Sequence, residues 1–149
     1  MAQLTGKTII ITGSSRGVGA DTAQILAAEG ANIVVNYRSK APRANKIVKA
    51  IEEAGGKAIA VQADVTNNED LQNLVNTAVE TFGSLDYLIL NASGGMETGM
   101  GEDYAMRLNR DAQLNLARLA AEKMPEGARI VFVTSHQAHF IREVETMDE

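Results

Sequence analysis

Between Thr8 and Ala20 the chain reads TIIITGSSRGVGA, and Gly13, Gly17 and Gly19 fall where an apolar, β-branched run ends. Glycine clustered at such a point frees the backbone for a sharp turn or a close approach. Gly13 would turn the chain off a strand, and Gly17 would let main chain approach a pyrophosphate. Gly19 would let the following helix pack tightly on the sheet. A helix starting near Gly17 would aim its free N–H groups and the positive end of its dipole at that phosphate. A tight turn needed only for folding would spend the same glycines, so the trio by itself leaves both readings open. A second candidate lies in IVVNYRSK, Ile33 to Lys40. At the end of the second strand of a dinucleotide fold, an acid receives the ribose 2′-hydroxyl, whereas cations receive a 2′-phosphate. Tyr37 takes the acidic position here, Arg38 follows it, and Arg16 lies inside the glycine turn. Two guanidinium forks with no acid nearby suit phosphate oxygens. Ser39 adds a hydroxyl, Lys40 reads as a solvated loop charge, and the cofactor reading is NADP(H).

The elements that must position these residues alternate along the chain. Short apolar runs at Thr8–Thr12, Ile33–Tyr37, Ala58–Gln62, Leu85–Leu90 and Arg129–Thr134 read as strands buried on both faces, as in a parallel sheet. Between them, Val18, Thr22, Ile25 and Leu26 recur at helical spacing, as do Ala44, Ile47, Val48 and Ile51. Leu71, Leu74, Val75, Ala78, Val79 and Phe82 form an unbroken stripe, preceded by TNNE, Thr66 to Glu69, with the spacing of a capping box. A fourth helix is expected from Glu102 to Lys123, stopped by PEG at Pro125–Gly127. Alternation of this kind implies right-handed crossovers and an α/β fold: a Rossmann-type doubly wound parallel sheet in three α/β/α layers, strand order 3-2-1-4-5. Ligands of such sheets bind at the carboxyl ends of the strands where the order reverses, and that is where the glycines sit.

Composition narrows the classes. A chain of 149 residues, 45% apolar and 22% charged, is one domain's worth of ordinary globular protein. A net charge of −5 without a basic stripe excludes nucleic acid as an expected partner. Without cysteine there is neither a disulfide framework nor a thiolate metal site, which suits a cytoplasmic location. No signal-like or membrane-spanning apolar segment is present in the sequence. No metal is implied, since histidines and carboxylates lack ligand-like spacing.

Taken in order, Thr12-Gly13-x-x-x-Gly17-x-Gly19, Asp64–Val65, Asn91-Ala92-Ser93, Asn109 and Val133-Thr134-Ser135 resemble the short-chain dehydrogenase/reductase family. The resemblance covers essentially all of this chain but only the first part of a usual member. It makes the whole glycine turn cofactor-binding, Ser15 and Val18 included, and it places Asp64 against the adenine amino group with Val65 beside it. Asn91, Ala92 and Ser93 correspond to the end of the family's Asn-Asn-Ala-Gly signature, with Leu90 in place of the first Asn and Ser93 in place of the Gly. Activity is then expected to be hydride transfer between the nicotinamide and a carbonyl or alcohol substrate. Ser135 would hydrogen-bond the carbonyl oxygen, and Asn109 would hold a water in the proton relay. The family's Tyr-x-x-x-Lys pair belongs shortly after Ser135, and HQAHFIREVETMDE, His136 to Glu149, lacks it. His136 or His139 titrates in the right range to replace the acid, though a loop histidine is usually just solvated. Tyrosine and lysine are therefore expected beyond the chain, and the chain alone is expected to be inactive: a single, incomplete dinucleotide-binding domain over residues 1–149. The family's strands six and seven are missing as well, which would leave RIVFVT as an exposed apolar edge prone to association. Leu114, Ala117 and Ala121 lie off the main stripe of the fourth helix, and with family precedent they suggest a homo-dimer or homo-tetramer. The loop GGMETGMGED, Gly94 to Asp103, would set specificity, with Met96 and Met100 as an adaptable wall or as filler. A non-catalytic NADP(H)-binding or regulatory module is the alternative. A nucleotide-fold methyltransferase would need an acid where Tyr37 and Arg38 stand.

Overall fold

The computed structural model describes residues 4–14, 17–39, 41–92 and 102–134, with the side chains of residues 18, 92, 102–110, 133 and 134 outside that description. Five strands, β1 (Thr8–Ile11), β2 (Asn32–Tyr37), β3 (Lys57–Gln62), β4 (Tyr87–Ala92) and β5 (Arg129–Thr134), alternate with helices α1 (Gly17–Ala28), α2 (Ala41–Glu53), α3 (Asn68–Phe82) and α4 (Glu102–Ala121). All strand pairs are parallel and the sheet order is β3-β2-β1-β4-β5, the doubly wound arrangement expected. Because successive side chains leave a strand on opposite faces, each central strand feeds two cores. Ile9, Ile11, Ile33 and Val35 pack with Ala23 and Ala27 of α1 and Ala44 and Ile51 of α2. Ile10, Val34, Leu88 and Leu90 pack on the other face with Leu71, Leu74, Val75 and Ala78 of α3 and with Leu116 and Ala120 of α4. The stripes expected for α2 and α3 are therefore the faces that meet the sheet.

Four local expectations change. On α1 the buried residues are Ala20, Ala23 and Ala27, while Ile25 is 65% exposed. Hydropathy favoured the larger residues, but beneath α1 the sheet takes small ones, with Leu26 packing only at the margin. The cap of α3 is Asn67, not Thr66: the Asn67 side chain accepts from Asp70 N, and Gly83 closes the far end in the left-handed region. Thr66 is unavailable because its N–H and hydroxyl both donate to Asp64 Oδ1. β4 starts two residues later than its apolar run, since Asp86 is spent on Thr8, donating N–H to the Thr8 carbonyl and accepting the Thr8 N–H at Oδ2. It also runs on through Asn91 and Ala92, which pair with Val133 and Thr134. Finally, α4 ends at Ala121 and Lys123 lies in the turn beyond it, its N–H on the Ala120 carbonyl.

At the β5 edge, Val131 and Phe132 are 45% and 51% exposed, while Ile130 packs on the α3–α4 core. Among the described residues, β4 is the only strand paired with β5. Leu114 is exposed as expected, but Ala117 packs against the core. Among the described residues no helix is long and apolar enough to cross a membrane.

Candidate functional site

β1 and β4 lie side by side in the sheet, yet their crossovers run to opposite sides, so their carboxyl ends open a crevice. β1 leaves the sheet there. Gly13 takes φ +61° and Gly17 takes φ +62°, left-handed conformations that L side chains resist. Among the described residues, a Cβ on Gly17 would meet no atom within 4 Å, so at the head of α1 these residues leave the main chain bare. The first amides of a helix lack intrahelical acceptors, which makes this a place for an anion. Gly19 has the opposite surroundings. A Cβ there would lie 2.6 Å from Asn91 Nδ2, 2.6 Å from the Gly13 carbonyl and 2.9 Å from Ser14 Cα. Only glycine allows α1 to seat this closely on its own turn.

Side chains from β1, β2 and β4 hold that turn. Asn91 N–H donates to Thr12 Oγ1 at 3.0 Å, and its Nδ2 donates to the Gly13 carbonyl at 3.3 Å. Gly13 N–H donates to Asn36 Oδ1 at 3.0 Å, and Ser14 Oγ donates to the Ile11 carbonyl at 2.7 Å. Thr12, Ser14, Asn36 and Asn91 are all buried. Buried polar groups this well matched make a rigid frame rather than a loose loop. Asn36 and Ser14 were not among the sequence candidates; their signal was an asparagine inside the apolar run IVVNY and a serine directly after the first glycine.

At the outer end of the crevice, Tyr37 packs its ring against the α1–α2 core. Arg38, 77% exposed, places Nε 4.0 Å from Asp64 Oδ2, and Gln62 Nε2 donates to the Arg38 carbonyl at 3.2 Å. An acid thus stands near Arg38 in space although none does in sequence. An exposed pair at that distance is worth at most about 1 kcal/mol, too little to withhold the guanidinium from a phosphate. Asp64 itself is tied down: Oδ1 takes both Thr66 donors, and its own N–H donates to Asp70 Oδ2 at 2.9 Å. The Thr66 hydroxyl and amide hold its carboxyl below the ordinary aspartate range against the opposing effect of burial, and Arg38 adds the weakest pull in the same direction. Ser39 is exposed at the bend after Arg38. Val65 faces an open cleft of about 420 Å³ between the start of α3 and α4, where Asn115 Nδ2 donates to Asn68 Oδ1.

The structure brings together Gly13, Gly19 and Asn91 at the head of α1 and, past the ends of β2 and β3, Arg38 and Asp64, while Tyr37 packs on the α1–α2 core and Val65 lines the cleft beside α4. Ser15, Arg16, Lys40, Ser93, Ser135, His136, His139 and the loop with Met96 and Met100 lie outside the described residues. Val18, Ala92 and Asn109 have described backbone only, on α1, at the end of β4 and on α4. Among the described residues no group of His, Asp and Glu is placed to hold a metal ion.

Residues 7–146 match the family model for short chain dehydrogenase. An uncharacterised oxidoreductase of Methylorubrum extorquens is 41% identical over 142 residues, 91% of this chain and 57% of that protein. Among solved structures, a short chain dehydrogenase from Burkholderia cenocepacia in complex with NADP superposes with a TM-score of 0.76 at 38% identity, over 87% of this chain and 56% of that one. A 7α-hydroxysteroid dehydrogenase complexed with NADH and 7-oxo glycochenodeoxycholic acid superposes with a TM-score of 0.78 at 32% identity, over 90% and 55%. The chain spans little more than half the length of each of these three.

Proposed function

The chain belongs to the short chain dehydrogenase family, and from that membership we propose that it forms the cofactor-binding part of an NADP(H)-dependent oxidoreductase acting on a carbonyl or alcohol. One observation carries the reading. The left-handed turn at Gly13 and Gly17 opens at the head of α1 with no atom of the described residues where a Gly17 side chain would stand, a cradle that a pyrophosphate fits and a side chain would fill. When bound, the cofactor supplies or accepts a hydride at its nicotinamide ring. The chain's own residues bind and orient. Amides of Gly17, Val18 and Gly19 would hold the diphosphate together with Ser15, in a turn that Asn36 and Asn91 fasten. Asp64 offers Oδ2 to the adenine amino group, its other oxygen being taken by Thr66, and Val65 supplies an apolar neighbour. Arg38, Arg16, Ser39 and the Tyr37 hydroxyl would receive a 2′-phosphate. Ala92 and Ser93 continue from Asn91 toward the reacting end. There Ser135 would donate to the substrate oxygen and Asn109 would hold a water in the proton relay.

Support for NADP(H) over NAD(H) comes from Arg38, since one solved neighbour carries NADP and another NADH. Arg38→Ala is expected to weaken NADPH binding by about 1.5–3 kcal/mol, roughly 10–100-fold, and to leave NADH binding unchanged. Equal losses for both dinucleotides in a fluorescence titration would overturn the assignment. Leu114 on α4 and the apolar face of β5 are where we place contacts with other copies of the chain or with its own continuation.

A further inference from the structure

Asn36 is an amide near the carboxyl end of the apolar strand β2, and it is buried. Its main chain accounts for part of this. β1 pairs with β2 only as far as Ile11 with Val35, after which Gly13 turns the chain away, so Asn36 loses the ladder partners β1 would supply. Ser14 replaces them: its N–H donates to the Asn36 carbonyl at 3.2 Å, and its Oγ accepts the Asn36 N–H at 3.0 Å. The side chain reaches two further segments. Oδ1 accepts the Gly13 N–H at 3.0 Å, and Nδ2 donates to the carbonyls of Ala63 at 3.2 Å and Val61 at 3.4 Å, with the Tyr37 carbonyl at 3.5 Å. A primary amide offers an acceptor on one arm and two donors on the other, and here both arms are used. Leucine would take the acceptor from Gly13 N–H and the side-chain donor from the Ala63 carbonyl, and aspartate would set an oxygen against that carbonyl.

We propose that Asn36 is a positioning residue for the dinucleotide. It fixes the glycine turn at the head of α1 against the end of β3, where Asp64 follows, and against the end of β2, where Arg38 follows. The phosphate cradle and the adenine-side residues are thereby held in one frame by a side chain that touches no ligand. The inference rests on the reading of the turn as a dinucleotide site.

The test compares wild type, Asn36→Ala, Asn36→Asp and Leu74→Ala in the full chain. NADPH Kd is read by nucleotide fluorescence, folding by circular dichroism, and Gly13 amide exchange by NMR without nucleotide. Leu74 lies in the α3 core away from the turn and controls for general loss of stability. Both Asn36 variants are expected to weaken NADPH about tenfold or more. Asn36→Ala is also expected to speed Gly13 exchange in the folded protein. Leu74→Ala should lower Tm at least as much and leave Kd unchanged. Folded Asn36 variants that bind NADPH like wild type would overturn the proposal, as would an equal loss in Leu74→Ala. Failure of both Asn36 variants to fold would make the residue a folding determinant and overturn it too. A wild-type chain that binds neither NADPH nor NADH would refute the dinucleotide reading itself, and this inference with it.

Discussion

In β1 the residues TIII run between β2 and β4, and all four are buried. In β5 the residues RIVFVT have β4 on one side, and Val131 and Phe132 stand about half exposed. The two segments have the same β-branched, apolar character, so composition does not separate them. Neighbours do. β1 receives α1 and α2 on one face and α3 on the other, and its carboxyl end is closed by Thr12, Ser14, Asn36 and Asn91. The lesson is that the crevice is built on the most completely buried part of the sheet, where a turn can be held rigid without contributions from the ligand.

The largest effect expected from that contrast is on stability. Ile10→Ala should cost about 2–5 kcal/mol in a denaturant titration, because it empties a fully enclosed site. Phe132→Ser should cost less than about 1 kcal/mol, since half of that side chain is already in water. Its main consequence should be reduced self-association in light scattering. Comparable stability losses at the two sites would show that β5 is covered in solution.

A smaller effect separates the two glycines of the turn. At Gly19, alanine gains about 1 kcal/mol of helix propensity but meets main chain that cannot retreat, at about 1–3 kcal/mol, so a net loss is expected. At Gly17 there is no collision, and Gly17→Ala should cost only about 1 kcal/mol from its left-handed backbone. NADPH binding should nevertheless fall more than stability for Gly17→Ala, because the added methyl stands in the cradle. A Gly17→Ala variant with unchanged NADPH Kd would argue that the cradle faces solvent only.

The smallest effect is electrostatic. The folded protein holds Asp64 below its unfolded pKa, so its contribution is fully present above the ordinary aspartate value of about 3.9 and fades as pH falls through the lower folded value. Asp64→Asn should therefore be less stable than wild type at neutral pH, and the gap should close below about pH 4. Thermal melts across that range check it. A gap that widens in acid would contradict the Thr66 and Arg38 contacts as its origin.

Much of this was legible in the residues. The strand runs, the α3 stripe and the glycine trio placed the sheet and its crevice, because burial on both faces demands unbroken apolar segments and a left-handed turn demands glycine. The open β5 edge was not legible in the run itself, which reads as buried on both faces; only the resemblance to a longer family suggested it. The cap of α3 was not: Thr66 and Asn67 are both competent, and the choice fell to whichever was not engaged by Asp64. Nor was the α1 face, where large side chains point outward because the space beneath takes only alanine. At the site, Arg38 and Asp64 were each visible but not their approach, since 25 intervening residues hide a contact that parallel pairing of β2 with β3 creates.

Local chemistry alone was enough to specify which segments would be strands or helices, where the backbone had to bend, and which residues had charge or bareness suited to a phosphate. Those properties belong to single residues and to spacings of a few positions, so they survive in a linear string. Packing settled the rest: which polar side chains were consumed in holding the turn, which carboxylate faced Arg38, and which apolar strand kept an open edge. Each of those outcomes depends on a partner distant along the chain and on the hydrogen bonds that burial forces that partner to make.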